Sequence, residues 1–174
     1  MRIYLVGFMG AGKSTVGRCL AERLSLSFVD LDREIERRAG APIPKIFERE
    51  GEPGFRVREH AALVAISGQP GIVVATGGGT LGTPENREVI RRSGRSVFLD
   101  PPLEVLFERI ERSSRARPLF RDREQAAALY RQRLAGYRSA DVVIPVTAED
   151  RPDQVAERVA QRLVQPVESR PCAT

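Results

Sequence analysis

Five short runs of apolar, β-favouring residues punctuate the chain, at 2–6, 27–30, 71–76, 96–100 and 142–146. Between them apolar positions recur at helical spacing, which predicts helices over 13–24, 31–39, a pair within 44–67, 84–92, 103–112, 123–138 and 152–164. Three of the strand candidates (IYLV, IVVA and VVIPV) are near-continuous apolar runs, the pattern of strands covered on both faces of a parallel sheet. Alternation of strand and helix predicts an α/β fold with right-handed crossovers. In such folds ligands bind beyond the carboxyl ends of the strands, so the residues just after each strand carry the functional reading.

Composition sets the bounds. A chain of 174 residues, 41% hydrophobic and 29% charged, suits one soluble globular domain. We expect that domain over 1–164, with a fraying tail at 165–174 that holds two prolines. There is no internal repeat. No apolar run approaches the ~20 residues that span a bilayer, and the apolar stretch before Gly7 is too short for a signal-peptide core. Cys19 and Cys172 are too few for a disulfide framework, so a cytoplasmic setting is expected. His60 is the single histidine, which excludes zinc sites built on histidine pairs.

Three strand ends carry chemistry. After the first comes Gly7-Phe8-Met9-Gly10-Ala11-Gly12-Lys13-Ser14, which fits G-x-x-x-x-G-K-[ST], the phosphate-binding P-loop, with an apolar strand before it and a helical pattern after. Its backbone N–H groups, from Gly10 to Thr15, can turn toward one anion. Lys13 would reach the β- and γ-phosphates and the Ser14 hydroxyl a Mg²⁺ ion, while the helix beginning near Lys13 points its positive end at the phosphates. After the second strand stand Asp30 and Asp32. Either they cap the next helix, or one holds a Mg²⁺ water and the other, Asp32, accepts a proton from a substrate hydroxyl. After the third come Gly77, Gly78 and Gly79. Three consecutive glycines carry an entropic cost that is justified where something approaches the backbone closely.

Charge sharpens this picture. The net charge is +5, and of 28 basic residues only Lys13 and Lys45 are lysine. Six arginines (109, 112, 115, 117, 121 and 123) lie between 109 and 123 against Glu111 and Asp122. This segment reads either as a nucleic-acid contact, which a single aromatic (Phe120) supports poorly, or as a mobile lid over about 112–123 that brings arginine to the transferring phosphoryl group. Arg56, near the start of a helix, meets the unfavourable end of its dipole and suggests a nearby anion. Glu59, at i+3, can orient it.

Taken together, GFMGAGKST (7–15), FVDLD (28–32), IFEREGEPGFRVRE (46–59), TGGG (76–79), RPLF (117–120), Tyr137-Arg138 and Arg151-Pro152 resemble the shikimate kinases, small P-loop kinases of the nucleoside-monophosphate-kinase-like type. The resemblance runs over about residues 3 to 163. It implies a three-layer P-loop kinase fold, with a five-stranded parallel sheet flanked by helices and a mobile lid. It also implies transfer of the ATP γ-phosphoryl to the 3-hydroxyl of shikimate, on the route to chorismate. In that resemblance Asp32 binds the shikimate hydroxyls and serves as base. Arg56 and Arg138 bind the shikimate carboxylate beside the Gly77–Gly79 backbone, and the acceptor region is helical, at about 33–61. Arg117 contacts the phosphates, Ser14 and Asp30 hold Mg²⁺, and Arg151-Pro152 flank the adenine. The arginine that precedes the lid is either Arg109 or Arg112.

Pro42 and Pro44 depart from the usual family pattern, and a stiffened helix entry is expected from them, while Pro53-Gly54, in the variable part of G-E-x-x-F-R, is expected to be harmless or slightly awkward. Phe8, Met9, Phe47, Phe55 and Leu119 are expected to pack rather than bind, His60 to face solvent and Cys19 to fill core space. The nearest alternatives are a gluconate kinase or a nucleoside monophosphate kinase on the same fold. A monomer with no nucleic-acid or membrane partner is expected.

Overall fold

The computed structural model describes residues 1–112 and 122–164. Its elements are β1 (Arg2–Val6), α1 (Lys13–Leu24), β2 (Ser27–Asp30), α2 (Leu31–Ala39), α3 (Ile43–Ser67), β3 (Ile72–Ala75), α4 (Pro84–Ser93), β4 (Arg95–Asp100), α5 (Leu103–Glu111), α6 (Arg123–Arg138), β5 (Val142–Pro145) and α7 (Pro152–Val164). A single 3₁₀ turn, Thr80–Gly82, follows the glycine run and was not foreseen. The arginine-rich segment at 113–121, with Arg117, and the tail at 165–174 lie outside the described residues.

The five strands form one parallel sheet in the order β2-β3-β1-β4-β5. β1 is central, pairing Arg2 with Ile72 on one side and Ile3 with Arg95 on the other. Successive strand residues face opposite sides of a sheet. The Tyr4 hydroxyl meets Ser93 of α4 at 2.7 Å, while Leu5 packs beside Gly17 of α1. These neighbours put α1 and α4 on opposite faces. α7 packs with α1, whereas α3 packs with α2 and α4. The sheet thus lies between two helical layers, and residues Ile3–Val6 and Ile72–Ala75 are buried throughout.

β5 departs from the expected pattern. Its run alternates between buried and exposed positions, with Val143 37% exposed. β5 is an edge strand, open to solvent on one face, and Pro145 is the residue that signals this: a ring without an N–H is tolerated at an edge but not within a sheet. The remaining differences are of one residue or so at element ends. Gly71, at φ 63°, stands outside β3, and β4 begins one residue early where Arg95 pairs with Ile3.

The pair of helices expected within 44–67 is one long element broken at Gly51, whose φ of 66° and ψ of −174° interrupt the helical path. Pro42 caps the first half with Pro at its entry, and Pro53 starts the second half just after the break, where a missing N–H is harmless. The prolines are accommodated at helix starts, and Arg56 follows one turn later. Phe47 and Phe55 pack across this junction with ring centroids 4.7 Å apart, and Phe8 is fully buried. His60 is only partly exposed; its Nδ1 lies 2.8 Å from Asn86 Oδ1, so it bridges α3 and α4 rather than facing solvent freely. No helix among the described residues is long and apolar enough to cross a membrane.

Candidate active site

Because all strands run the same way, their carboxyl ends deliver the P-loop, the aspartate pair and the glycine run to one edge of the sheet. Two cavities open there. One, of about 220 Å³, is lined by Met9, Gly10, Gly12, Lys13, Ser14, Thr15, both aspartates, Thr76 and Gly78. The other, of about 510 Å³, takes its walls from α3 (Glu52, Arg56), from the glycine run (Gly78, Gly79), from the start of α4 (Arg87) and from α6 (Arg133, Tyr137). Gly78 lines both.

In the smaller cavity the Lys13 ammonium is buried and donates to the carbonyls of Gly7 at 2.7 Å and Phe8 at 2.8 Å. The loop's own carbonyls thereby stabilise the charge inside it. Ser14 donates to Asp30 Oδ2 at 2.6 Å. Asp30 also caps α2, its other oxygen accepting from the Arg33 N–H at 3.3 Å. The two readings of the aspartate pair therefore separate. Asp30 is a cap and a partner of the P-loop serine, while Asp32, one residue into α2, points at the glycine run: a Cβ on Gly77 would lie 3.1 Å from its Oδ1.

The larger cavity is organised around a buried carboxylate. Glu59 is fully buried; its Oε1 accepts from Thr80 Oγ1 at 2.7 Å and its Oε2 from Arg56 Nη1 at 2.7 Å. Arg56 also donates through Nε and Nη2 to Glu52 Oε1, at 3.3 and 2.9 Å. Burial alone would lower the Arg56 pKa, but Glu59 and Glu52 outweigh it and the pKa is raised. The anion that the helix-start position of Arg56 called for is thus supplied from within the chain. The guanidinium lies directly on Gly79, where a Cβ would come 2.7 Å from Nη1 and 2.8 Å from Cζ.

Opposite Arg56, the Tyr137 hydroxyl donates to the Gly78 carbonyl, and its ring stacks on Phe98 with centroids 5.3 Å apart. Burial pushes the Tyr137 pKa up to about 12, against the opposing field and hydrogen bond of Arg133.

The shikimate kinase family model matches residues 9–164. A shikimate kinase of Prochlorococcus marinus is 46% identical over 94% of this chain and 85% of its own length. One from Halorhodospira halophila is 44% identical over 98% and 95%. The structure of the Acinetobacter baumannii enzyme in complex with shikimate superposes with a TM-score of 0.89 at 41% identity, covering 94% of this chain and 92% of that one.

The chain belongs to the shikimate kinase family. It is a kinase that transfers a phosphoryl group from ATP to shikimate, and the gluconate-kinase and nucleotide-kinase alternatives fall away.

With the shikimate kinase family settled, the site positions expected from sequence can be located. Gly10, Gly12, Lys13, Ser14, Thr15, Asp30, Asp32, Gly78, Gly79 and Arg56 line the two cavities, and Gly77 lines neither but lies beside Glu59 and Asp32. Ala11 is buried beneath the loop. Arg138, expected to bind the carboxylate, is exposed and lines neither cavity, whereas Arg133 lines the larger one. The reason is helical geometry. Tyr137 is buried on the glycine run, its neighbour Arg138 is turned ~100° around α6, and Arg133, one turn earlier at i−4, shares the face of Tyr137. Arg109 and Arg112 differ in position. Arg109 lies over the P-loop, its Nη1 3.8 Å from where a Gly12 Cβ would stand, while Arg112 is 81% exposed beside Glu108. Arg151 and Pro152 are exposed at the start of α7, outside both cavities, with Arg151 paired to Asp153 at 2.9 Å.

The tyrosines give a solution test. The chain has three, Tyr4, Tyr130 and Tyr137, and burial raises the pKa of each. In the unfolded chain they ionise near ~10, so between about pH 10 and 12 the native state binds more protons and stability falls as pH rises. Absorbance titration at 295 nm should show little tyrosinate at pH 10 in the folded protein and about half in urea. Equal titration in the two states would contradict the packing of Tyr137.

Proposed function

We propose that the two cavities are the nucleotide and acceptor halves of one site, and that the acceptor's reacting hydroxyl is presented at Gly78, between Asp32 and the P-loop. The single observation that supports this most is that Gly78 belongs to both cavities, with Asp32 beside it on the nucleotide side and a pair of arginines on the acceptor side. Shikimate is a small carboxylate with three hydroxyls. Arg56 and Arg133 would bind its carboxylate, Arg133 taking the role first expected of Arg138. The backbone at Gly77–Gly79 would pack against the ring.

Asp32 would bind the hydroxyls and take the proton of the 3-hydroxyl as that oxygen attacks the γ-phosphoryl group, giving shikimate 3-phosphate and ADP. Phosphoryl transfer asks for alignment and charge neutralisation more than covalent help. Here Lys13 would exchange its loop carbonyls for phosphate oxygens. Arg109 lies close enough to Gly12 to share that charge, and Arg117 is assigned by resemblance to the same task. Arg151 and Pro152 would flank the adenine.

Ser14 and Asp30 are a hydroxyl and a carboxylate held 2.6 Å apart, hard oxygen donors that suit Mg²⁺. Among the described residues no cluster of three or more His, Cys, Asp or Glu could hold a metal, so the ion would draw mainly on phosphate and water. Bound there, it would neutralise phosphate charge. The working form is read as a cytoplasmic monomer of one domain, 1–164, acting without nucleic acid or membrane.

Coupled ADP release tests the assignment. Asp32→Asn should lower kcat by roughly a hundredfold or more, the scale of a lost general base, with little change in the ATP KM; near-normal turnover would remove Asp32 as base. Arg133→Ala should raise the shikimate KM by about tenfold or more, since a charge-assisted carboxylate contact contributes ~1.5–3 kcal/mol, while Arg138→Ala should leave it near the parent value. The reverse ranking would restore Arg138.

A further inference from the structure

Glu52 is the only acidic residue among those lining the larger cavity, whose other charged walls are Arg56, Arg87 and Arg133. Its position is unusual for a structural partner. Glu59 is fully buried and bonded through both oxygens, to Thr80 and Arg56. Glu52 is half exposed and rests on Arg56 through one oxygen alone, which accepts from both Nε and Nη2. It is also the first residue after the break at Gly51, where the backbone is not held by a continuous helix. A side chain displaced from there would lie at the start of the second half of α3, where the dipole tolerates a carboxylate.

We propose that Glu52 is a resident competitor for the carboxylate of the acceptor, occupying the guanidinium edge of Arg56 until substrate replaces it. The proposal rests on the acceptor reading of this cavity. The charge balance supports it. With Glu52 in place, Arg56 is compensated twice, by Glu52 and Glu59, and offers little attraction to an incoming anion. With Glu52 swung aside the cavity gains one unit of positive charge, and the edge formed by Nε and Nη2, which suits a two-point carboxylate contact, becomes available. Exchange of one carboxylate for another keeps Arg56 paired throughout, so the buried Glu59–Arg56 pair never loses its order. It also sets selectivity: a ligand without a carboxylate cannot replace Glu52 and meets a closed arginine.

Isothermal titration of shikimate, and separately of its methyl ester, into the full-length protein without nucleotide provides the test. Three proteins are compared: the parent, Glu52→Gln and Glu52→Asp. Glu52→Gln should bind shikimate several-fold tighter than the parent, the opposite of what damage to a supporting contact would give. Glu52→Asp keeps the charge but shortens the reach to Arg56, and should tighten binding as well, which separates the contact from a general field. Affinity for the ester should change little in either variant. Weaker binding of shikimate by Glu52→Gln would overturn the proposal and make Glu52 a support for Arg56. Parent-like binding by Glu52→Asp alongside tighter binding by Glu52→Gln would overturn the contact in favour of a field effect. Absence of shikimate binding in the parent would count against the acceptor reading itself.

Discussion

The backbone of Gly77–Gly79 is where the structure is most constrained, because four separate parts of the chain close on it. Glu59 and Asp32 approach Gly77, the P-loop backbone and Arg133 approach Gly78, and the Arg56 guanidinium lies on Gly79. A side chain at the last position would occupy the volume of that guanidinium. The wall is therefore backbone because its neighbours are all polar groups with work to do at short range, and the entropic cost of three glycines is the consequence. The Tyr137 hydroxyl on the Gly78 carbonyl adds a second tie from α6. Through this one segment the P-loop, α2, α3 and α6 are held together.

Charge placement follows from that geometry. A carboxylate buried as deeply as Glu59 is tolerable only when both oxygens are satisfied, and removing a partner from such a pair costs about 3–5 kcal/mol. Thr80 and Arg56 satisfy it, and in doing so they fix the guanidinium at the cavity wall. Around it the arginines divide into two kinds. Arg37, Arg38, Arg58, Arg91, Arg92 and Arg158 are joined to carboxylates and line neither of the two cavities, and exposed pairs of this sort contribute little stability. Arg109 and Arg133 lie at the P-loop and the larger cavity respectively. For these six, arginine content is a surface property, and position rather than number sets Arg109 and Arg133 apart.

The fold was legible because each strand is a compact apolar run and each helix starts at a recognisable signal; α1, α2, α6 and α7 fall on their expected residues. β5 was misjudged as a doubly covered strand because apolar content alone does not distinguish a central strand from an edge, although Pro145 carried that information. At the site, motifs with fixed local geometry were readable: the P-loop, the aspartate pair and the glycine run all act through backbone or adjacent side chains. The cavity position of Arg133 was not, because the α6 motif Tyr137-Arg138 points to Arg138 and only the folded helix shows which face meets the wall. The buried Tyr137 was the available signal, since its i−4 neighbour must share its face. Glu52 was hidden for a different reason: its contact with Arg56 depends on the break at Gly51.

The central claim, that the absence of a side chain at Gly79 leaves the room the Arg56 guanidinium occupies, is tested most directly by titrating Gly79→Ala with shikimate and with ADP. The added methyl should displace the Arg56 guanidinium, so the shikimate Kd is predicted to rise roughly tenfold or more, about 1.4 kcal/mol, with the ADP Kd near the parent value and the protein still folded. A shikimate Kd unchanged from the parent would contradict the account.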